Sequence, residues 1–196
     1  MLIYKLLSED NINTYLPDLA RLRMTVFRDY PYLYVGDIEY EKGYLRTYTK
    51  ACNSIVILVM DDDRVVGAAT GIPLCEETDE VKRPFVQAGY DVEQVFYFGE
   101  SVLLPDYRGN GVGVSFFEKR EAHAKSLPGI KYCSFCAVQR PDNHPSRPCD
   151  YKPLNDFWFH RGYEYHSDLT TQFEWQEIGE EQASPKTMAF WLKKLP

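Results

Sequence analysis

Between residues 100 and 113 the chain reads Glu-Ser-Val-Leu-Leu-Pro-Asp-Tyr-Arg-Gly-Asn-Gly-Val-Gly. An apolar strand pattern runs into three alternating glycines, and a helical pattern follows. Such a turn presents several backbone N–H groups at the positive end of a helix, an anion site that suits a pyrophosphate. Glycine serves this purpose because a Cβ would keep phosphate oxygens away from the backbone. Two familiar phosphate loops do not fit. A Walker A loop needs Gly-Lys followed by Ser or Thr, and Gly113 is followed by Val114. A dinucleotide fingerprint needs G-x-G-x-x-G, whereas Gly109, Gly111 and Gly113 run as G-x-G-x-G.

The pattern around this turn predicts one α/β domain over residues 1–196, with insertions near 75–94 and 139–152. The first seven residues predict a strand. Residues 11–30 predict a helix whose apolar face (Leu16, Leu19, Ala20, Val26, Phe27, Tyr30) is interrupted by Arg23. Pro31 predicts its end, since the residue before proline avoids the helical region. A more polar helix follows over 37–50, then a hairpin of strands 54–60 and 65–72 around Asp61-Asp62-Asp63-Arg64. Residues 75–94 form a polar excursion with a short helix. Beyond it come a strong strand over 95–104, a helix over 113–127, a strand over 131–138 and a Pro-rich loop over 139–152. Pro153 suits the first turn of a short helix and Gly162 its end. Two strands near 163–178 and 186–195 close the chain. The central strand–helix–strand unit flanked by hairpins makes the sheet mixed.

Charge and composition narrow the function. The net charge of −7 offers no basic footprint for nucleic acid, and an acidic balance suits a cationic substrate better than an anionic one. No run approaches the ~18 apolar residues of a membrane span, and residues 1–10 lack the pattern of a secretory signal. The expectation is a cytoplasmic protein that does not engage membranes. Five cysteines, an odd number, fit reduced thiols. Cys133 and Cys136 form a C-x-x-C on a predicted strand, where residues three apart point to opposite faces. They are expected to pack rather than to clamp a metal, and no metal is expected.

Arg108-Gly109-Asn110-Gly111-Val112-Gly113 matches the signature [QR]-x-x-G-x-[GA], with Leu-Leu-Pro-Asp-Tyr leading in, a strand before and a helix after. In this the chain resembles the GNAT N-acetyltransferases. Phe157-Trp158-Phe159-His160-Arg161-Gly162-Tyr163 is similar to the aromatic helix closing on Gly-Phe near the end of that family's domain. The resemblance implies a mostly antiparallel mixed sheet with helices on both faces, and acetyl-CoA as co-substrate. It implies that the fourth and fifth strands splay apart to admit the pantetheine arm. Backbone around Val102, Leu103 and Leu104 would bind the arm, the amides from Arg108 to Gly113 the pyrophosphate, and Asn143 would touch the cofactor from the loop after the fifth strand.

The reaction implied is direct attack of an amine of a small molecule or peptide on the thioester. Glu100 is the candidate general base, since alternation puts it beside Phe98, Val102 and Leu104, and apolar neighbours disfavour a carboxylate's charge. The family's usual acid is a Tyr four residues before the glycine of the last helix. Here that position is Trp158, so the role does not carry over. Tyr151 is the preferred replacement over Cys149, His144 and His160, with unassisted loss of the thiolate as a further option. Tyr30, Tyr32 and Tyr34, set among acidic residues, are candidates for holding an ammonium group. A homodimer is the default assembly. Three other readings stand beside this one. They are an acyltransferase for another acyl-CoA or a hydroxyl, a CoA-binding sensor without catalysis, and, more distantly, a nicotinamide enzyme.

Overall fold

The computed structural model describes residues 1–7 and 9–196, and the side chains of all of these but Glu9, Asp10, Thr49 and Lys50. Its elements are β1 (Ile3–Leu7), α1 (Glu9–Phe27), α2 (Ile38–Lys50), β2 (Ile55–Asp61), β3 (Arg64–Pro73), α3 (Asp79–Gln87), β4 (Val95–Tyr97), β5 (Ser101–Leu103), α4 (Val112–Ser126), β6 (Tyr132–Val138), α5 (Asn155–Phe159), β7 (Glu164–Trp175) and β8 (Ser184–Lys194). The sheet runs β1-β2-β3-β4-β6-β8-β7, with β5 paired to β3 beside β4. Every pairing is antiparallel except β4 with β6, which α4 connects. Among the described residues no helix is long and apolar enough to cross a membrane.

Helices cover both faces, so the central strands are apolar on both sides. In β2, Val56 and Leu58 join Leu16, Leu19, Leu45 and Phe85 beneath α1, α2 and α3, whereas Ile55, Ile57 and Val59 join Phe116 and Phe117 of α4. Each Phe or Leu so buried contributes ~1.5–3 kcal/mol by leaving water. Asp37 caps α2 by accepting the Tyr40 N–H at 2.7 Å. Cys133 belongs to the α4-side cluster and Cys136 to the opposite one, as strand alternation requires.

Several boundaries differ from the sequence expectations. Helix α1 stops at Phe27, three residues early, because Tyr34 N–H takes the Phe27 carbonyl and turns the chain; the Tyr30-Pro31 bond is cis. The β2–β3 hairpin turns on two residues, with Asp62 at φ 50°. Pro153 lies outside α5, which is capped by Leu154.

The largest difference falls in the strand expected over 95–104, which is interrupted. Tyr97 pairs with Ile72, but Glu100 gives its carbonyl to Thr70 N–H, so Phe98 and Gly99 face a single residue, Gly71. One extra residue is a β-bulge, and it shifts the alternation of side chains by one. Phe98, expected on the face of Glu100, therefore lies on the α4 side with Phe96, while Glu100 and Val102 face α1 and α2. Gly99 makes the bulge sterically feasible. A Cβ there would overlap the Tyr48 hydroxyl and come within 2.8 Å of Thr70 Oγ1. Replacing Gly99→Ala should therefore lower unfolding free energy by ~1–3 kcal/mol in urea melts. Unchanged stability would mean that Tyr48 can withdraw freely.

Candidate active site

Beyond the bulge the sheet opens. The last link between the central strands is Phe98 N–H to the Ser134 carbonyl at 2.7 Å. From there β5 pairs only with β3, and the rest of β6 only with β8. Leu104 N–H bonds the Val66 carbonyl and Thr70 N–H the Glu100 carbonyl, so the even residues 100, 102 and 104 turn their backbone groups to β3. Val102 and Leu104 thus cannot offer N–H groups to a ligand, contrary to expectation. Ser101 and Leu103 face the gap, and Ser101 is exposed. The Leu103 carbonyl already accepts Arg108 Nε at 3.3 Å.

The glycine turn sits at the mouth of this gap. A short turn, Pro105–Tyr107, is tied down by Tyr107, whose hydroxyl donates to Asp61 at 2.8 Å. Asn110 Nδ2 donates to the carbonyls of Tyr107 and Arg108 at 3.3 and 3.4 Å. Gly109 and Gly111 have φ of 79° and 78°, values that favour glycine, and Gly111 caps α4. Val112 is buried beneath the turn. Arg108 N–H goes to the Pro105 carbonyl and Ser115 N–H to that of Gly111. Among the described residues no acceptor meets the amides of 109–114, and they lie at the positive end of a 15-residue helix. The Phe157 ring leans on Gly113, within 3.2 Å of where a Cβ would stand.

On the opposite face of β5 lies a buried polar network. Glu100 is 6 % exposed and accepts Arg23 Nη1 at 2.5 Å and the Tyr44 hydroxyl at 3.2 Å. Arg23 Nε donates to Glu41. Tyr44 and Tyr48 hydroxyls lie 3.0 Å apart, and Tyr48 donates to Glu77 at 3.1 Å. Burial pushes Glu100 above the ordinary carboxylate range, against the pull of Arg23, and pushes Glu77 up likewise. Nearby, the Tyr97 hydroxyl and Cys136 Sγ are 3.1 Å apart, and burial raises that thiol to about 12. On the α4 side Arg120 is buried and donates to the carbonyls of Phe116, Thr70 and Glu100 and to Ser101 Oγ, at 3.2, 3.1, 3.0 and 2.7 Å. Burial lowers its pKa to about 10. Arg120 thereby braces the bulge from the face opposite the carboxylates.

The rim is aromatic. The Tyr30 ring meets Tyr151 edge-on at 4.6 Å and His144 at 5.5 Å. Burial raises the Tyr32 phenol, which feels Cys136 and Tyr151 on one side and Arg23 and Arg140 on the other. Tyr34 is raised by burial and by the neighbouring Glu41. Arg140 donates to the carbonyls of Pro31 and Tyr32 at 2.7 and 3.3 Å and pairs with Glu177, which ties the loop after α1 to the β7–β8 turn. Asn143 is exposed on the surface of its loop. Trp158 is half-buried and packs on Phe135 and Trp191, both at 5.1 Å, at the margin of the α4-side core. Sequence reasoning singled out Arg23 only as a break in an apolar face. It missed Glu41, Tyr44, Glu77, Tyr97 and Arg120, which carry no local motif.

The raised carboxyls have a definite sign for stability. The folded chain keeps protons on Glu77 and Glu100 to higher pH than the unfolded chain does. Their contribution is full below the ordinary value of 4.5 and declines as pH rises through the raised values. Glu77→Gln removes one of these titrations. Its stability relative to wild type should therefore improve between about pH 4 and pH 7 in urea melts. A relative stability that worsens over that range would show Glu77 to be held below its ordinary value.

Comparison with known proteins agrees with this geometry. The chain aligns in structure over its full length with a putative acetyltransferase, yncA, from Salmonella typhimurium solved with its cofactor acetyl-CoA (TM-score 0.61, 8 % identity, 94 % of that chain covered). It aligns equally with an acetyltransferase of the GNAT family from Streptococcus pneumoniae (TM-score 0.60, 14 % identity, 100 % of both chains). It also matches a ribosomal-protein-alanine N-acetyltransferase from Brucella melitensis (TM-score 0.59, 15 % identity, 98 % of this chain and 99 % of that one). These likenesses establish the shared fold. Comparison with curated proteins by sequence gives no match. The model of the acetyltransferase (GNAT) family matches residues 16–150, a span that holds the bulge, the glycine turn and the buried carboxylates, and the chain belongs to that family.

Proposed function

We propose that this chain, as one domain over residues 1–196, transfers an acetyl group from acetyl-CoA to a primary amine of a small molecule or peptide in the cytoplasm. The observation that carries the reading is the position of Glu100. It is a buried carboxylate with one oxygen unpartnered, set on the bulge where the strands part, at the start of the strand that leads into a turn of unpaired amides. The gap and the turn fit acetyl-CoA. The amides of 109–114 suit its pyrophosphate, and the edge of β5 at Ser101 and Leu103 suits the amide-bearing pantetheine arm. When bound, acetyl-CoA supplies the activated thioester.

The residues of the chain then have distinct tasks. Glu100 takes a proton from the incoming amine at Oε1, the oxygen left free by Arg23 and Tyr44. Its raised pKa makes it a stronger base than an exposed carboxylate. Tyr30, Tyr32 and Tyr34 border the acceptor path. Tyr151, raised by burial and by Tyr30, retains its proton and is the candidate acid for the departing thiolate. The indole of Trp158, packed on Phe135 and Trp191 where a phenol would be the proton donor, favours a second reading, a CoA-binding module without catalysis.

Titration calorimetry should give micromolar binding of acetyl-CoA and none of NADH; the reverse would remove the proposal. With an accepted amine, Glu100→Gln should lower kcat by ~10²–10⁴-fold while acetyl-CoA binding persists. The wild-type kcat/KM should fall as pH drops through a value above 4.5, since Glu100 works ionised, and the variant should lose that limb. Full turnover in the variant across pH would end the base assignment, and the sensor reading predicts no thiol release at all.

A further inference from the structure

Arg23 serves two carboxylates. Its Nε donates to Glu41 Oε2 and its Nη1 to Glu100 Oε2 at 2.5 Å, with its guanidinium carbon 4.3 Å above the Tyr44 ring. Glu100 Oε1 is buried and has no hydrogen-bond partner, whereas the carboxylate of Glu41 also has the Tyr34 hydroxyl beside it. Glu41 is 0 % exposed. The groups facing Glu100 come from every element packed on it. They are Arg23 from α1, Glu41, Tyr44 and Tyr48 from α2, Thr70 from β3, Glu77 from the turn after β3, and Arg120 from α4 through the Glu100 main-chain carbonyl.

One guanidinium cannot match two ionised carboxylates, and an unmatched buried charge is costly. A free Glu100 oxygen beside an unmatched negative charge calls for a cation that donates hydrogen bonds. We infer, on the reading of Glu100 as base, that Glu41 is a positioning residue: it matches the charge of Arg23 and leaves that of Glu100 for the acceptor, an aliphatic primary amine arriving as its ammonium ion.

The proton balance closes on this arrangement. The ammonium enters opposite an ionised Glu100. One N–H bond breaks and an O–H bond forms at Glu100 Oε1, which frees the amine's lone pair. What remains is a neutral amine, a neutral carboxylic acid and the matched Glu41–Arg23 pair. A weakly basic aromatic amine arrives uncharged and brings no such match. Without Glu41, Arg23 would belong wholly to Glu100 and hold it in its ionised form. The Glu41 charge acts in the opposite sense, raising Glu100.

The test does not depend on turnover. With carbon-13-labelled glutamate, the Glu100 carboxyl signal is assigned by its loss in Glu100→Gln and titrated in wild type and in Glu41→Gln. The midpoint in Glu41→Gln should fall by ~1 pH unit or more. Glu41→Asp, which keeps the charge but withdraws it by one methylene, should lie between the two and serves if the glutamine variant does not fold. Cyclohexylammonium should lower the wild-type midpoint and leave that of Glu41→Gln in place, and aniline should move neither. A Glu100 midpoint unmoved or raised in both Glu41 variants overturns the role of Glu41. Equal responses to cyclohexylammonium and aniline overturn the acceptor class. Either result can coexist with acetyl-CoA binding and thiol release, so it would be distinct from a failure of the acetyltransferase reading.

Discussion

One residue too many in the strand between Val95 and Leu103 governs the rest of the site. Because Phe98 and Gly99 together oppose Gly71, the strand bends, loses β6 after the Ser134 carbonyl, and turns Glu100 to the α1–α2 face. The gap and the orientation of Glu100 are therefore products of the same irregularity. It is held from both sides. Arg120 takes the carbonyls of Thr70 and Glu100 from the α4 face, and Thr70 Oγ1 accepts the Glu100 N–H at 3.2 Å. Tyr48 fills the space that a side chain at position 99 would need.

The network that the bulge exposes is a poor device for stability. Arg23, Glu41, Glu77 and Glu100 are all buried, and burying ion pairs costs about as much as their attraction returns. An apolar cluster of the same volume would hold α1 to α2 as well. The orphaned oxygen of Glu100 makes the point sharper, since unpaired buried acceptors are rare in folded proteins. Such groups persist where a ligand completes them, which is why they argue for chemistry rather than for packing.

Much of this was legible before any coordinates. The strand-to-helix glycine turn stands where the spacing put it, because unpaired amides and positive φ both demand glycine in sequence. The helices and most strands followed from apolar periodicity, and Arg23 announced itself as a charge on a buried face. What escaped was non-local. The bulge has no signature except Gly99, whose constraint is a hydroxyl contributed by Tyr48 some fifty positions earlier. Strict alternation therefore put Phe98 on the wrong face, and the assignment of the Val102 and Leu104 backbone to the gap, which came from the family resemblance, did not allow for the bulge. Glu41 sits in an ordinary polar helix, and only the docking of α2 on α1 reveals it as buried.

The two faces of the sheet divide the work. On the α4 face the positive end of a helix and a row of free amides await an anion, and the buried charge there is the cation Arg120. On the α1–α2 face the excess charge is negative and the rim is phenolic. An anionic carrier and a cationic acceptor would each be repelled by the other's side of the sheet, so each is sorted to its own face by charge alone. They can meet only where the sheet is not continuous. That place is the opening beyond Phe98, and Glu100 stands at its edge with Ser101 beside it facing the gap. The sorting of charge between the faces and the position of Glu100 thus converge on one interruption in a hydrogen-bond ladder.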